Sequence, residues 1–126
     1  MTTDSGGAVI RIPIDVVAPI ACSVTGADVP ARLEQIEHLR RRIRTIDRTG
    51  TGLLLTFDAD PELRTHLERF VLDEKGCCPF WGFRLDSTGP DLALRWDGPA
   101  AAQDVLDDLH RHLAGDGPVT EIVGLL

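Results

Sequence analysis

The side chains best suited to chemistry in this sequence are its three cysteines, Cys22, Cys77 and Cys78. Adjacent cysteines rarely chelate one metal ion by themselves, so a third thiolate is needed, and Cys22 is the residue that can supply it. Three thiolates suit a soft ion such as Hg(II) or Cu(I) better than Ca(II) or Mg(II). The sequence therefore predicts a metal site formed by Cys22, Cys77 and Cys78.

Scarce aromatic residues follow the cysteine pair directly. The chain has four phenylalanines, two tryptophans and no tyrosine. We expect Phe80, Trp81 and Phe83 to shield the metal site. The competing interpretation is that the cysteines are core residues, because cysteine is among the most buried residue types. A zinc site is disfavoured, since the chain has no Cys-x-x-Cys pair and no close Cys/His spacing.

The place of the pair relative to a helix separates metal binding from redox chemistry. The pattern predicts a helix that begins at Pro61 and ends at Lys75, with Gly76 as a left-handed cap. Both thiols would then lie past the negative end of the helix dipole, which disfavours the thiolate that a redox nucleophile needs. A soft metal ion instead displaces the thiol proton itself. Metal binding is therefore favoured over an activated redox thiol.

The elements that position the pair contain an internal repeat. Ile46–Gly50 matches Leu85–Gly89, and Leu53–Asp58 matches Leu92–Asp97. Each unit has the pattern of a strand, a Thr-Gly turn, a second strand and a helix, and the glycine is expected to adopt the positive φ that a hairpin turn favours. The sequence thus contains two ββα units.

The repeat predicts the α+β class. Units at about 42–76 and 81–114 would form an antiparallel sheet with its helices on one face, a two-layer sandwich. An N-terminal strand over residues 8–17 is expected at an edge, because Pro13 cannot donate to a strand ladder. A helix that begins near Asp28 is expected before the first unit.

Alternating apolar residues mark the buried face of the predicted sheet. These residues are Leu53, Leu55, Phe57, Leu92, Leu94 and Trp96. The helix that follows the first hairpin has a buried stripe at helical spacing. That stripe consists of Leu63, Leu67, Phe70 and Val71.

The bulk composition limits the number of domains and the kinds of partner. A chain of 126 residues is the usual size for one domain, which we expect over residues 8–126 after a disordered segment at 1–7. The net charge of −7 disfavours nucleic acid as a partner. The sequence has neither an apolar run long enough for a membrane nor a secretory signal, and it has no phosphate-binding glycine loop. We therefore expect a cytoplasmic protein with reduced thiols, no membrane partner and no nucleotide cofactor.

Histidines and the C-terminal tail are weaker candidates for function. His38, His110 and His112 are expected to be surface or satisfied side chains, and His66, about three helical turns before Cys77, is not expected to bind the metal ion. The tail, residues 119–126, is apolar, and we expect it to add a strand or to form the contact of a homodimer.

The segment from Glu74 to Phe83 resembles the E-x-x-C-C-P-F-F-x-F signature of a small actinobacterial domain. That domain occurs alone or fused to MerR-type heavy-metal regulators. The resemblance extends over about residues 20–113, with Trp81 where the family usually has phenylalanine. It implies a role in metal resistance or sensing.

A second, local similarity is to organomercurial lyases. Cys77-Cys78 followed by aromatics, and the segment Cys22–Gly26, are similar to segments of those enzymes. A lyase would also need an acid to protonate the leaving carbon, and Asp28 and Asp86 are the candidates.

The leading hypothesis is thus thiol-based binding of a soft heavy-metal ion, most plausibly Hg(II). Two alternatives stay open. One is an enzyme, either an organomercurial lyase or a thiol-redox catalyst. The other is a partner-binding module without catalytic activity.

Overall fold

The computed structural model describes residues 9–15, 17–18 and 29–115. The chain forms the elements β1 (Val9–Ile12), α1 (Val29–Arg42), β2 (Ile43–Arg48), β3 (Gly52–Asp58), α2 (Pro61–Cys77), β4 (Gly82–Asp86), β5 (Asp91–Asp97), a 3-10 turn (Ala100–Ala102) and α3 (Gln103–Leu113). The predictions for residues 1–7, for Cys22 and for the tail at 119–126 lie outside the described residues.

Five antiparallel strands form one sheet, in the order β1-β4-β5-β3-β2. The two hairpins meet at its centre, where β3 pairs with β5 and Leu55 lies opposite Leu94. The α+β class with an antiparallel sheet and an N-terminal strand is therefore confirmed. Strand β1 is shorter than predicted and ends directly before Pro13, and it occupies the edge position that this proline favours.

The alternating apolar residues form the core as predicted. All six of the predicted strand positions, and all four of the predicted α2 positions, are at most 3% exposed. The same cluster contains Ile36 and Leu39 of α1 and Leu106 and Leu109 of α3. The strand period of two and the helical stripe were therefore sufficient to identify these buried faces.

The hairpin turns differ from the prediction. Neither Gly50 nor Gly89 has a positive φ, and among the described residues only Gly115 does. In the first turn the Thr49 hydroxyl accepts a hydrogen bond from the amide of Gly52 at 2.8 Å. In the second turn the Asp86 carboxylate accepts one from the amide of Thr88 at 2.8 Å. Side-chain acceptors thus stabilise these turns in place of left-handed glycines.

Helix α2 begins as the sequence predicts. Asp60 is its N-cap and accepts a hydrogen bond from the amide of Glu62 at 2.9 Å, with Pro61 in the first turn. The pKa of Asp60 lies below its usual value because Arg42 donates to the carboxylate, with a further contribution from the Glu62 amide.

Gly52 is required by the close approach of β3 to β5. A Cβ atom there would lie 2.0 Å from the carbonyl oxygen of Trp96. We expect Gly52→Ala to lower the free energy of unfolding by about 1–3 kcal/mol, because the two backbones must move apart. Urea denaturation followed by circular dichroism measures this loss.

Gly50→Ala is the matched control. A Cβ atom at Gly50 would have no neighbour within 4 Å. Since its φ is not positive, alanine there should leave stability unchanged or raise it by about 0.4–1 kcal/mol. Equal losses in the two variants would contradict the steric explanation.

Candidate functional site: a cysteine pair at the end of a helix

Cys77 is the last residue of α2, and Cys78 is the residue that caps it. The helix extends through Cys77, and the amide of Cys78 still donates to the carbonyl of Glu74 at 2.8 Å. The prediction that the helix ends at Lys75 with Gly76 as a left-handed cap is therefore wrong. Cys78 is the C-cap, at φ −128° and ψ 78°, because the following proline excludes it from helical geometry.

The two cysteines differ in burial and in oxidation state. Cys78 is fully buried and disulfide-bonded. Cys77 is partly exposed and is not part of a disulfide. Reduced thiols were expected at both positions, so Cys78 departs from that expectation. Its partner sulfur is not among the described residues, and Cys22 likewise lies outside them.

Arg32 of α1 connects the thiol of Cys77 to a buried carboxylate. One guanidinium nitrogen, Nη2, donates to the Cys77 sulfur at 2.7 Å and to the carbonyl of Asp73 at 3.0 Å. The other, Nη1, donates to Glu74 Oε1 at 2.8 Å. A cation beside a cysteine sulfur stabilises the thiolate. The negative end of the helix dipole disfavours the Cys77 thiolate, and Arg32 opposes that effect. The sequence-based preference for metal binding over redox chemistry depended on the dipole.

Glu74 is the buried acid of this cluster, with 2% of its surface exposed. Burial raises the pKa of its carboxyl, while the positive charge of Arg32 opposes that rise. The indole N–H of Trp81 lies near the same carboxylate without reaching normal hydrogen-bond geometry. The same guanidinium therefore contacts both the Glu74 carboxylate and the Cys77 sulfur.

Lys75 fixes the loop that follows the cysteines. Its ammonium group donates to the carbonyls of Pro13 at 3.0 Å and Trp81 at 2.6 Å, and also to that of Pro79. Burial lowers the pKa of this lysine. The loop is thereby attached to the segment that leaves β1.

The aromatic residues predicted to shield the site are all buried. Phe80 and Trp81 contact each other with ring centroids 4.4 Å apart, and they share one apolar cluster with Cys78. Phe83 lies on β4 and contacts Trp96 at 5.4 Å. Gly98 leaves room for the Trp81 ring, since a Cβ atom there would lie 2.7 Å from it. That these rings shield a metal ion stays a prediction.

Cys77 opens into a groove between α1 and α2. The groove has a volume of about 540 Å³. Its lining residues include Arg32, Gln35, Asp73, Gly76 and Cys77. The partly exposed sulfur is thus accessible from one side, whereas the neighbouring sulfur is not.

The other predicted candidates are the two possible acids, Asp86 and Asp28, and the three-thiolate metal site. Hydrogen bonds from Thr88 lower the pKa of Asp86, so this carboxyl loses its proton at a lower pH than an ordinary aspartate and is less suited to keep one for a leaving carbon. Asp28 lies outside the described residues. Within residues 9–15, 17–18 and 29–115 no group of three or more histidine, cysteine or acidic side chains is placed to hold a metal ion. The three-thiolate site includes Cys22 and so stays a prediction.

Two features of the site were not predicted. Arg32 contacts Cys77 from a different helix, and nothing in the local sequence indicates that contact. Glu74 belongs to the quoted signature, but its burial depends on the packing of α1 against α2. Its place three residues before Cys77 in that signature was the one available signal.

Comparisons of the chain with protein-family models, with curated proteins and with solved structures found no match. The resemblance to the actinobacterial domain therefore stays a prediction. In the part of the chain that the structure describes, no helix is long and apolar enough to cross a membrane.

Proposed function

We propose that this protein carries out thiol–disulfide exchange through Cys77 and the disulfide of Cys78. The observation that supports this is the adjacency of a thiol and a disulfide at one helix end, with the thiol held by the guanidinium of Arg32. Cys22 is the one other cysteine in the sequence, and we infer that it is the partner of Cys78. In a cytoplasmic location such a disulfide is expected to be transient and not merely structural.

Cys77 is proposed to relay the exchange, because an external thiol cannot reach the fully buried sulfur of Cys78. The Cys77 thiolate attacks the partner sulfur, a new S–S bond forms at Cys77, and Cys78 leaves as a thiolate. The exposed disulfide then accepts two electrons from a dithiol. The dithiol becomes a disulfide, and its two protons end on the two cysteine thiols that are released.

Glu74 supports the proton transfers of this sequence. Its carboxyl is buried, and it shares Arg32 with the Cys77 sulfur. In the proposal it supplies a proton to the Cys78 thiolate, which would otherwise be a buried charge. Glu74 is thus a positioning and proton-holding residue in the proposal.

Alkylation and mass spectrometry test the exchange. The protein isolated without reductant should take up one iodoacetamide group, and after reduction by dithiothreitol it should take up three. Peptide mapping under non-reducing conditions should join the peptides of Cys22 and Cys78. Three alkylated thiols before reduction would overturn the proposal.

Cys77→Ser separates the relay from the disulfide itself. The variant should keep the disulfide but be reduced by a monothiol at least about tenfold more slowly, since the external thiol has lost its point of entry. Ser87→Ala, in the turn that follows β4, is the control and should react at the wild-type rate. Reduction of Cys77→Ser at the wild-type rate would remove the relay from the proposal.

Binding of a soft metal ion by the reduced protein is the second candidate. It is favoured by the disulfide itself, because the Cys78 sulfur has a second sulfur within bonding distance. After reduction Cys78 and its partner would both offer thiolates, and Hg(II) or Cu(I) are ions that such ligands prefer. Cys77 would be the third ligand.

Mercury titration distinguishes this second candidate from exchange alone. The reduced protein should bind about one Hg(II) with an ultraviolet thiolate-to-metal band. The oxidised protein should not show this stoichiometric band, and Cys78→Ser should weaken it. An unchanged affinity in the Cys77→Ser, Cys78→Ser double variant would end the metal hypothesis.

We further infer that the chain is a two-layer sandwich of two ββα units. The order β2-β3-α2 followed by β4-β5-α3 supports this, as does the pairing of the second strand of each hairpin, β3 with β5. The cysteine pair then occupies the joint between the first unit and the second.

A further inference from the structure

Two histidines from different helices meet in a cleft that adjoins the cysteine groove and shares Ala31, Gln35 and Arg69 with it. His38 of α1 and His66 of α2 have ring centroids 4.5 Å apart and planes inclined by 47°. Both line a cavity of about 420 Å³ between the two helices. The sequence predicted a surface or satisfied side chain at His38 and no ligand of the cysteine site at His66, and the packing of α1 on α2 brings the two rings together.

His38 has a polar atom that the protein does not satisfy. Its Nε2 is shielded from solvent and has no hydrogen-bond partner. Shielded polar atoms in folded proteins are nearly always paired, and an exception calls for an explanation such as a missing ion or water. The nitrogen of a neutral imidazole is a good ligand for a transition metal.

The separation of the rings fits two ligands on one ion. With a metal–nitrogen distance of about 2.0–2.1 Å, the metal lies about 3.2 Å from each ring centroid. If the two metal–nitrogen bonds make an angle of about 90–110° at the ion, the two ring centroids lie about 4.5–5.2 Å apart. The observed separation lies at the lower end of that range.

The charges around the cleft neither exclude nor strongly attract a cation. Its lining contains two carboxylates, Glu34 and Glu37, and two guanidinium groups, Arg41 and Arg69. Glu37 is paired with Arg40 at 2.9 Å, and Arg69 with Asp73 at 3.3 Å. Affinity for a metal ion must therefore come from the imidazoles and not from net charge.

We propose that His38 and His66 together bind one divalent first-row transition-metal ion. Imidazole favours Cu(II), Ni(II) and Zn(II), and the usual order of stability places Cu(II) first. Since no third such ligand is placed there among the residues described, water occupies the other positions of the ion. The site is accordingly weaker than a structural zinc centre and leaves positions open for an added ligand.

The test uses the full-length oxidised protein with Cys77 alkylated, so that the thiols cannot compete for the ion. Titration calorimetry with Cu(II), Ni(II) and Mg(II) should give one Cu(II) per chain, weaker binding of Ni(II) and none of Mg(II). His38→Ala and His66→Ala should each weaken Cu(II) binding at least about tenfold. His110→Ala, on α3, is the matched control and should bind as the wild type does.

Circular dichroism confirms that each variant is folded before titration. Wild-type affinity in both His38→Ala and His66→Ala would overturn the proposal, and so would an equal loss in His110→Ala. Because Cys77 is blocked throughout, a failure of thiol–disulfide exchange leaves this result unaffected.

Discussion

Replacing Glu74 with alanine should lower the free energy of unfolding by about 3–5 kcal/mol. Glu74 and Arg32 form an ion pair at 2.8 Å whose side chains are 3% and 7% exposed. Removal of the carboxylate leaves the guanidinium buried without a counter-charge, and this uncompensated charge is the source of the loss. Urea denaturation at neutral pH measures it.

Glu68→Ala is the matched control on the same helix. Glu68 pairs with Arg64 at 3.1 Å, but the side chains are 36% and 27% exposed. Partly solvated pairs of this kind are worth about 0–1 kcal/mol. The double variant Arg32→Met, Glu74→Met should regain part of the loss, since no buried charge is left unpaired. A loss in Glu74→Ala no larger than in Glu68→Ala would contradict the prediction.

The contribution of Glu74 to the free energy of unfolding should depend on pH. Burial raises the pKa of Glu74, so the folded state keeps this proton to a higher pH than the unfolded chain does. The proton-linked part of the stability that this carboxyl contributes is therefore fully present below its unfolded pKa of about 4.3 and is lost as the pH rises through the higher folded pKa, above which the ion pair with Arg32 remains. The stability of the wild type relative to Glu74→Gln should fall over that window. A relative stability that rises with pH would show that Arg32 outweighs burial.

Trp96→Ala is expected to cost about 3–5 kcal/mol, because it empties the centre of the core. The Trp96 ring is 2% exposed. It contacts Phe70 at 5.5 Å, Phe83 at 5.4 Å and Trp81 at 5.6 Å. Thermal unfolding followed by far-ultraviolet circular dichroism is the appropriate measurement, since the substitution itself alters fluorescence.

Trp96→Phe provides the control within the same site. It keeps an aromatic ring among these neighbours and removes the indole N–H, which is buried without a hydrogen-bond partner. Its loss should therefore be clearly smaller than that of the alanine variant. Leu72→Ala, at a side chain 61% exposed, should change stability by no more than about 0.5 kcal/mol. Equal losses in the phenylalanine and alanine variants would contradict the role of packing.

The parts of the fold that local patterns determine were predictable. Leu53, Leu55 and Phe57 alternate as a half-buried strand requires, and Asp60-Pro61 has the residues of a helix start. The end of α2 was not predictable in the same way. Gly76 suggested a helix cap, but the helix continues through Cys77. Pro79 was the stronger stop signal.

The parts of the site that depend on packing between helices were not predictable. The sequence predicts a site at Cys77 and Cys78, but Arg32 reaches Cys77 only because α1 packs along α2. The contact of His38 with His66 has the same origin. Hydrophobic periodicity shows which face of a helix is buried, and it does not show which polar side chains meet at the margin of that face.

Strand β1 pairs with β4, which is far from it in sequence, so the pairing closes a long loop of chain. It places Val9 opposite Asp86, whereas each hairpin joins strands that are neighbours in sequence. The larger loop costs more chain entropy to close, so this edge is expected to dock last and to open locally at a lower free energy than the central strands. Lys75 ties the exit of β1 to the loop after Cys78 through the carbonyl of Pro13. Transient opening of the sheet edge would loosen that loop, and so give solvent intermittent access to a sulfur that the closed fold buries.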